Sequence, residues 1–179
     1  MDRDREITLV RDCQQGDRQA LSRLVKDFEK PVYNVAYRIL GNVDEAADVT
    51  QTAFLRVFEN IQRYNPKFRF FSWIYRIAIN EAIDQLNRRK RLEPLAETPG
   101  TDSPPDTVAT SQLCNEVQVT LMELNEDHRT VIVLRYFSDC SYRQIGEILQ
   151  LPEKTVKSRL FTARQQMKKQ LQQHGVVSA

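Results

Sequence analysis

The sequence predicts an all-α protein in which two small helical domains are joined by a flexible linker. Apolar residues recur at helical spacing through residues 4–91 and 113–174, and no segment alternates convincingly as a strand would. Residues 92–112 contain four of the chain's seven prolines and no lysine or arginine. We therefore expect an N-terminal domain over 1–91, a linker over 92–112 and a C-terminal domain over 113–179.

The composition indicates a globular chain whose charge is unevenly distributed. The chain has 179 residues, of which 41% are hydrophobic and 28% are charged, and this excludes a disordered protein. Residues 1–91 hold 17 basic and 13 acidic residues, whereas 92–128 hold eight acidic residues and no Lys or Arg. Residues 129–179 hold nine basic and three acidic residues. A basic C-terminal part indicates contact with a polyanion there.

The sequence gives no sign of export, membrane insertion or metal binding. Residues 2–6 are all charged and no apolar run reaches membrane length, so we expect a cytoplasmic protein without membrane insertion. The three cysteines form no CxxC pair and are expected to be free thiols. His128 and His174 are isolated, so no metal site or other cofactor is expected. The sequence contains no nucleophile–base pair and no phosphate loop. We therefore expect a protein that is not an enzyme and that has no small-molecule substrate.

The N-terminal domain is expected to consist of helices throughout, separated by short breaks and loops. Gly16-Asp17 interrupts the first apolar run and can begin a second helix. Pro66 marks a loop, because proline disfavours helix at the residue before it. The later helical segments are Pro31–Leu40, Asp44–Ile61 and Ser72–Arg91.

The helix over Asp44–Ile61 has an outward face that is acidic and also carries a large apolar residue. Its acidic character should keep it away from DNA, while Leu55 is an apolar residue placed among carboxylates. Such a patch is typical of protein docking, although a solvated face is the alternative interpretation. The candidate docking residues are Asp44, Asp48, Gln51, Thr52 and Leu55.

The helix over Ser72–Arg91 and the loop before it combine cations, amides and aromatic rings. Aromatic rings can stack on unpaired bases while cations hold the backbone, so this set predicts binding to single-stranded nucleic acid. The alternative is that Trp73 and Phe70 belong to the core, as most tryptophans do in part. The candidate residues are Lys67, Phe68, Phe70, Phe71, Trp73, Arg76, Ile77, Asn80 and Arg88.

The C-terminal domain is expected to contain a helix–turn–helix. Ser141 and Gln144 have the spacing of a capping box, and Gly146 is expected to let a neighbouring helix come close. Pro152 suits the first turn of the next helix. The four helical segments expected in this domain are Leu113–Leu124, Glu126–Phe137, Ser141–Leu149 and Pro152–Gln173.

The last helix is the predicted DNA-reading helix. Its buried stripe should include Val156, Leu160 and Ala163, which leaves Phe161 on the opposite side. A basic helix hairpin with a solvated face is the alternative, but it explains an exposed phenylalanine poorly. The candidate residues for base and phosphate contacts are Lys154, Lys157, Ser158, Arg159, Phe161, Thr162, Arg164 and Lys168.

Three motifs, in this order, resemble the sigma factors of bacterial RNA polymerase, specifically the extracytoplasmic-function (ECF) group of the sigma-70 family. Residues 44–54 (DEAADVTQTAF) resemble the helix of region 2 that docks on the polymerase clamp. Residues 70–80 (FFSWIYRIAIN) resemble the helix that melts the promoter and reads the −10 element. Residues 139–164 resemble region 4, which reads the −35 element. The docking motif departs from the family by having Thr50 and Thr52, where an apolar residue and an acid are more common.

The resemblance implies roles for the surfaces described above. The candidate docking residues would bind the core polymerase at its β′ clamp, and region 4 would lie at the β flap. The loop 67–71 would accept a flipped base, and the acidic linker would follow a nucleic-acid path inside the polymerase. The implied partners are the RNA polymerase core, promoter DNA and an anti-sigma factor.

Two other functions fit parts of the sequence. A stand-alone helix–turn–helix regulator would bind duplex DNA without polymerase and would not need the aromatic face of the Ser72–Arg91 helix. An adaptor that only titrates an anti-sigma factor would bind its partner without supporting initiation. Transcription with purified core polymerase separates these alternatives.

Overall fold

The computed structural model describes residues 3–92 and 108–175, and it describes the side chains of residues 3–92 and 113–175. Within these ranges the chain is α-helical, which confirms the predicted fold class. The helices are α1 (Arg3–Gln14), α2 (Arg18–Leu40), α3 (Val43–Asn60), α4 (Phe70–Leu92), α5 (Val108–Glu123), α6 (Glu126–Ile132), α7 (Tyr142–Leu149) and α8 (Glu153–Gln173).

The first four helices form the N-terminal unit. Helices α2, α3 and α4 pack pairwise around a core that includes Leu24, Ile39 and Ile74, and α1 covers one end of this bundle. Asp17 accepts hydrogen bonds from the first backbone N–H groups of α2, and Gly41 ends that helix with φ +69°. This bundle holds α3 and α4 with their candidate faces pointing away from the core.

Helix α2 runs without interruption through Pro31, although the sequence suggested that a separate helix begins there. Proline removes one backbone N–H from the helix and costs stability in a helix interior. Here Phe28, Val32 and Val35 lie on the buried side of the same helix. Their burial on either side of Pro31 offsets that cost.

The C-terminal unit contains α5 to α8, and one π-helical turn, Val133–Phe137, extends α6. Its core includes Leu121, Leu134, Ile145 and Leu160, all fully buried. Helix α5 begins at Val108, inside the range that the sequence assigned to the linker. Helix α4 likewise begins at Phe70, two residues before the expected start. Residues 93–107, the rest of the predicted linker, lie outside the described residues.

The two units pack directly against each other in the described structure. Arg129 of α6 donates a hydrogen bond to the carbonyl oxygen of Ile39 on α2 at 2.6 Å. Gln118 of α5 accepts a bond from Arg38 at 2.9 Å. Lys90 of α4 pairs with Glu126 of α6. Over the described residues, no helix is both long enough and apolar enough to cross a membrane.

Candidate nucleic-acid and protein interfaces

The acidic face predicted on α3 is an exposed surface. Asp44, Asp48 and Gln51 are exposed, Thr52 is half-buried, and 61% of Leu55 is exposed. Asn42 caps α3 by accepting a hydrogen bond from the backbone N–H of Glu45 at 2.9 Å, so the carboxylates of the first turn lie at the positive end of the helix dipole. All five candidate docking residues therefore share one accessible face.

A groove between α2 and α3 adjoins this acidic face. It has a volume of about 730 Å³ and is lined by the aromatic rings of Tyr33, Phe54 and Phe58 as well as by Leu55. Sequence reasoning missed the groove, because the α2 wall is recognised only once the two helices are packed. An apolar groove beside a carboxylate face suits a partner helix that carries both apolar and basic residues.

Thr50, one of the two departures from the family motif, fills a buried position in the wall of this groove, away from the exposed acidic face. Its hydroxyl donates a hydrogen bond to the carbonyl oxygen of Ala46 at 2.7 Å, and only 6% of the residue is exposed. This bond satisfies the hydroxyl within the helix, so threonine occupies a core position without an unpaired polar atom. The substitution therefore leaves the acidic face unchanged.

The loop before α4 holds two exposed candidates. Phe68 is 50% exposed and Lys67 is exposed. The hydroxyl of Tyr64 donates to the carbonyl oxygen of Phe68 at 2.7 Å, and Asn65 accepts from the backbone N–H of Lys67 at 3.0 Å. These two bonds hold the loop backbone in place at Phe68 and at Lys67. An exposed phenylalanine beside a cation is suited to stacking on an unpaired base.

Phe70 is a wrong prediction for direct nucleic-acid contact. Its side chain is 0% exposed, and its ring lies 5.0 Å from that of Phe28 and 5.8 Å from those of Tyr64 and Trp73. The core interpretation therefore applies to Phe70. Its position at the first turn of α4 places it between α2 and the loop, and helical periodicity alone does not reveal that contact.

The remaining α4 candidates line one side of the helix with graded exposure, except Phe71, which lies on the other side and packs edge-on against Tyr75 at 5.9 Å. Asn80 and Arg88 are exposed, whereas Phe71, Arg76 and Ile77 are half-buried. Trp73 is also half-buried, since its ring tilts against Tyr64 at 5.4 Å. Because Tyr64 packs against the Trp73 ring without covering it completely, part of the ring stays accessible for stacking.

Arg76 is engaged with the C-terminal unit. Its guanidinium donates to the carbonyl oxygens of Glu147 at 2.6 Å and Ile148 at 3.2 Å, at the end of α7. A cation is favoured at a helix C-terminus, where the last carbonyls lack partners in the helix. In this arrangement the Arg76 guanidinium is occupied by the last carbonyl oxygens of α7.

Most candidate residues of α8 lie on the side of the helix away from its core stripe, whereas Arg159 borders the stripe. Phe161 is 64% exposed, and Val156, Leu160 and Ala163 are fully buried, as predicted. The exposed members are Lys154, Lys157, Ser158, Phe161, Thr162, Arg164 and Lys168, while Arg159 is half-buried.

Two cations of this face are held by ion pairs. Lys157 pairs with Glu153 at 2.9 Å, and Arg159 pairs with Asp127 at 2.9 Å. Surface ion pairs of this kind contribute about 0–1 kcal/mol, so phosphates or base edges can replace the carboxylates at little cost. The pairs position the two cations on the surface of α8.

The turn between α7 and α8 has the geometry expected of a helix–turn–helix. Ser141 and Gln144 form the predicted capping box, with bonds of 2.7 and 3.2 Å. Gln150 ends α7 with φ +55°. A Cβ atom on Gly146 would lie 2.7 Å from the carbonyl oxygen of Leu151. The close neighbour of Gly146 is therefore the backbone of its own turn, and not the neighbouring helix that we expected.

Three polar side chains important to the arrangement were missed by the sequence analysis. Glu6, Gln118 and Arg129 are 1%, 1% and 6% exposed. Each bonds to a segment more than 60 residues away, at Phe70, Arg38 and Ile39 respectively. No sequence signal at these positions distinguishes them from surface residues, because their partners are brought close only by the fold.

The cysteines are free thiols, as expected, with Cys13 and Cys140 buried and Cys114 exposed. Burial, assisted by Asp12, raises the pKa of Cys13 to about 11. Burial, assisted by Asp139, raises the pKa of Cys140 to about 12. Both buried thiols are therefore protonated and unreactive near neutral pH.

Comparison with known protein families identifies both units. Residues 24–92 match the model described as Sigma-70 region 2, and residues 114–167 match the model described as Sigma-70, region 4. These matches together cover more than half of the chain. They place α2 to α4 in the first family segment and α5 to α8 largely in the second.

Curated relatives match over nearly the full length. The ECF RNA polymerase sigma factor SigW of Bacillus subtilis is 36% identical over 176 residues, covering 90% of this chain and 94% of that protein. The RNA polymerase sigma-H factor of Pseudomonas aeruginosa is 32% identical over 178 residues, covering 92% of each.

A solved structure supports the fold independently. CnrH, determined in complex with the cytosolic domain of CnrY, superposes with a TM-score of 0.74 at 24% identity, covering 96% of this chain and 98% of that one. At this identity the likeness concerns the fold alone. The family matches and the full-length relatives together show that the chain belongs to the ECF sigma factors of RNA polymerase, which are transcription initiation factors and not enzymes.

Proposed function

We propose that this chain is a dissociable promoter-specificity subunit whose three exposed faces bind three different targets. The acidic face and groove of α3 bind core polymerase, the loop and α4 bind the −10 element, and α8 binds the −35 element. The observation that supports this assignment is the combination, on one chain, of an acidic docking face and two faces that pair cations with exposed aromatic rings. Since it acts on polymerase, its compartment is the cytoplasm.

The α3 face docks on the clamp through complementary charge and apolar contact. Asp48 and Gln51 interact with basic and polar groups of the partner, and Leu55 inserts beside the groove. Because 61% of Leu55 is exposed, its burial on docking removes apolar surface from water. This role involves none of the α4 or α8 candidates, so polymerase binding and promoter reading are separable by mutation.

The loop and α4 capture the melted −10 strand. Phe68 provides an exposed ring for a flipped base, Lys67 a cation for the backbone, and Asn80 an amide for a base edge. Trp73 lies at the upstream end of the open segment, where it stacks against the last paired base. Melting is driven by this capture, since a base held in the loop cannot return to the duplex.

Helix α8 reads the −35 element in the major groove. Arg159 and Lys157 contact base edges, Phe161 contacts thymine methyl groups, and Arg164 and Lys168 contact phosphates. The β flap of polymerase holds this unit at its site. The C-terminal unit alone makes too few contacts for tight binding, so affinity comes from joining two weak contacts on one tether.

Core polymerase separates the two units before promoter binding. In the packed arrangement Arg76 contacts the end of α7 and is withheld from DNA. Docking of the α3 face and of the C-terminal unit at different sites on polymerase pulls the units apart and releases Arg76. The 15 residues between the end of α4 and the start of α5 have a maximum reach of roughly 50 Å.

An anti-sigma factor that binds the same faces keeps the chain inactive. CnrH was solved with the cytosolic domain of CnrY, and the sigma factor RpoE of Bartonella quintana was solved with the anti-sigma factor NepR. For this chain the apolar α2–α3 groove is the surface best suited to an amphipathic helix of such a partner.

The experiment is transcription with purified bacterial core polymerase, this chain and a library of randomised promoter templates. Two enriched motifs upstream of the start sites are expected, with Asn80→Ala altering the downstream motif and Arg159→Ala the upstream one. Tight core binding without transcripts would instead indicate an adaptor. Duplex binding without core binding would indicate a stand-alone regulator.

A further inference from the structure

The structure assigns to Glu6 of α1 the role of a positioning residue that fixes the base-accepting loop before α4. This inference rests on the proposed function of that loop and deepens it. Glu6 lies outside residues 24–92, the segment that matches the region 2 family model. It also lies outside the set of residues proposed to contact DNA.

The Glu6 carboxylate is buried against the start of α4. Its Oε1 atom accepts the backbone N–H of Phe70 at 2.5 Å. Its two oxygens accept the Arg69 Nε–H at 3.2 Å each, and Oε2 accepts the Arg69 Nη2–H at 3.0 Å. Only 1% of Glu6 is exposed. An acid so deeply buried is tolerated because it accepts hydrogen bonds from the Phe70 amide and from the Arg69 guanidinium.

The backbone N–H of Phe70 is one of the first amides of α4, which have no acceptor within the helix. An anion at a helix N-terminus is also favoured by the helix dipole. Glu6 therefore caps α4 from a different helix, 64 residues away in sequence. This cap determines where the loop ends and the helix begins.

The loop is consequently fixed at both ends while its tip remains exposed. Tyr64 holds the carbonyl oxygen of Phe68 at 2.7 Å from one side, and Glu6 holds Arg69 and Phe70 from the other. Phe68, between these anchors, is half exposed. A base that stacks on Phe68 meets a ring whose position is already set, so less entropy is lost on capture.

Two variants on the same face of α1 separate positioning from simple packing. Glu6→Gln keeps the size of the side chain but removes the charge and turns an amide toward Arg69. Leu9→Ala, one turn further along α1, removes core packing from a residue that is 8% exposed and lies outside the loop contacts. A purely structural role for α1 predicts the same phenotype for both variants.

The first measurement is amide hydrogen exchange on the full chain without polymerase or DNA. Glu6→Gln should speed exchange of the Phe70 amide at least tenfold relative to the rest of α4. Leu9→Ala should leave that ratio unchanged. Equal ratios in the two variants would overturn the inference, and this result does not depend on any promoter.

The second measurement compares promoter opening by holoenzymes on a template selected with the unsubstituted chain. Glu6→Gln should open the duplex template at least tenfold more slowly, with less than a threefold defect on a template already melted over the −10 element, and with unchanged core affinity. An unaltered opening rate, or an equal defect on both templates, would overturn the inference. If the unsubstituted chain selects no promoter, the proposed function fails, while the exchange measurement still decides the positioning role.

Discussion

Replacement of Arg129 by methionine should destabilise the chain more than removal of any surface ion pair. The guanidinium is 6% exposed and donates to four backbone carbonyl oxygens: Leu121 at 2.9 Å, Met122 at 2.9 Å, Leu124 at 2.9 Å and Ile39 at 2.6 Å. Burial lowers its pKa to about 10, so it remains charged at pH 7.

The magnitude follows from these four bonds. Hydrogen bonds to a charged group contribute about 1.5–3 kcal/mol each before the cost of burying the charge, which is several kcal/mol. Methionine fills a similar volume but removes all four bonds from the guanidinium, while the Leu121 carbonyl oxygen still accepts from the backbone N–H of Leu124 at 3.2 Å. We therefore expect a loss of roughly 3–5 kcal/mol, a large part of the stability of a domain this size.

Urea unfolding followed by far-ultraviolet circular dichroism measures this loss. Arg129→Lys is the matched control, since it keeps the charge but has three donors on a single nitrogen, and it should cost about 1–2 kcal/mol. Because one of the four bonds crosses to Ile39 on α2, the methionine variant should also show a larger radius of gyration in solution scattering. A methionine variant within about 1 kcal/mol of the original chain would refute the reasoning.

Three further predictions concern single side chains. Phe161→Ala should change the free energy of unfolding by less than about 0.5 kcal/mol, because the ring is 64% exposed. It should nevertheless lower transcription about 5- to 50-fold on promoters with a −35 element, and an equal fall on a promoter with a scrambled −35 element would contradict the role. Leu55→Asp should weaken core polymerase binding at least tenfold by placing a charge at the edge of the apolar groove, with an unchanged melting temperature; retained affinity in a polymerase pull-down titration would exclude that face. Burial raises the pKa of Cys140 from 9.0 to about 12, so its contribution to stability is complete below pH 9 and is lost as pH rises toward 12. Cys140→Ala should therefore show a shallower decline of stability above pH 9 in urea unfolding, and an identical decline would show that other groups cause it.

The packed arrangement of the two units is held in part by buried and half-buried arginines at helix C-termini. Arg76 is held at the end of α7, and Arg129 at the end of α2, so each unit supplies a cation to a helix C-terminus of the other. Both contacts are favoured by unpaired carbonyls and by the helix dipole.

Much of the candidate site was predictable because it depends on local periodicity. The spacing of apolar residues along α8 places Phe161 opposite the buried stripe, and the structure confirms that it is exposed. The same reasoning placed Leu55 on the outward face of α3. The capping box at Ser141 was also recognisable, since both partners lie within one turn.

The failures share a physical cause. Phe70 and Phe68 have the same chemistry and lie two residues apart, yet one is fully buried and the other is half exposed. The difference arises from the neighbours of Phe70, including Phe28 on α2, and these are remote in sequence. Periodicity indicates the direction of a side chain, but the burial of that side chain depends on which other element covers it.

By itself, the sequence determined the helical fold class, the order of the three family motifs and the outward faces of α3 and α8. These features follow from the side-chain types within a few helical turns. Only the tertiary structure decided that Glu6 caps α4, that Arg129 joins the units and that Arg76 contacts the end of α7. Each of these contacts joins residues more than 60 positions apart, and a buried charge is stable only where the fold brings its partners to it.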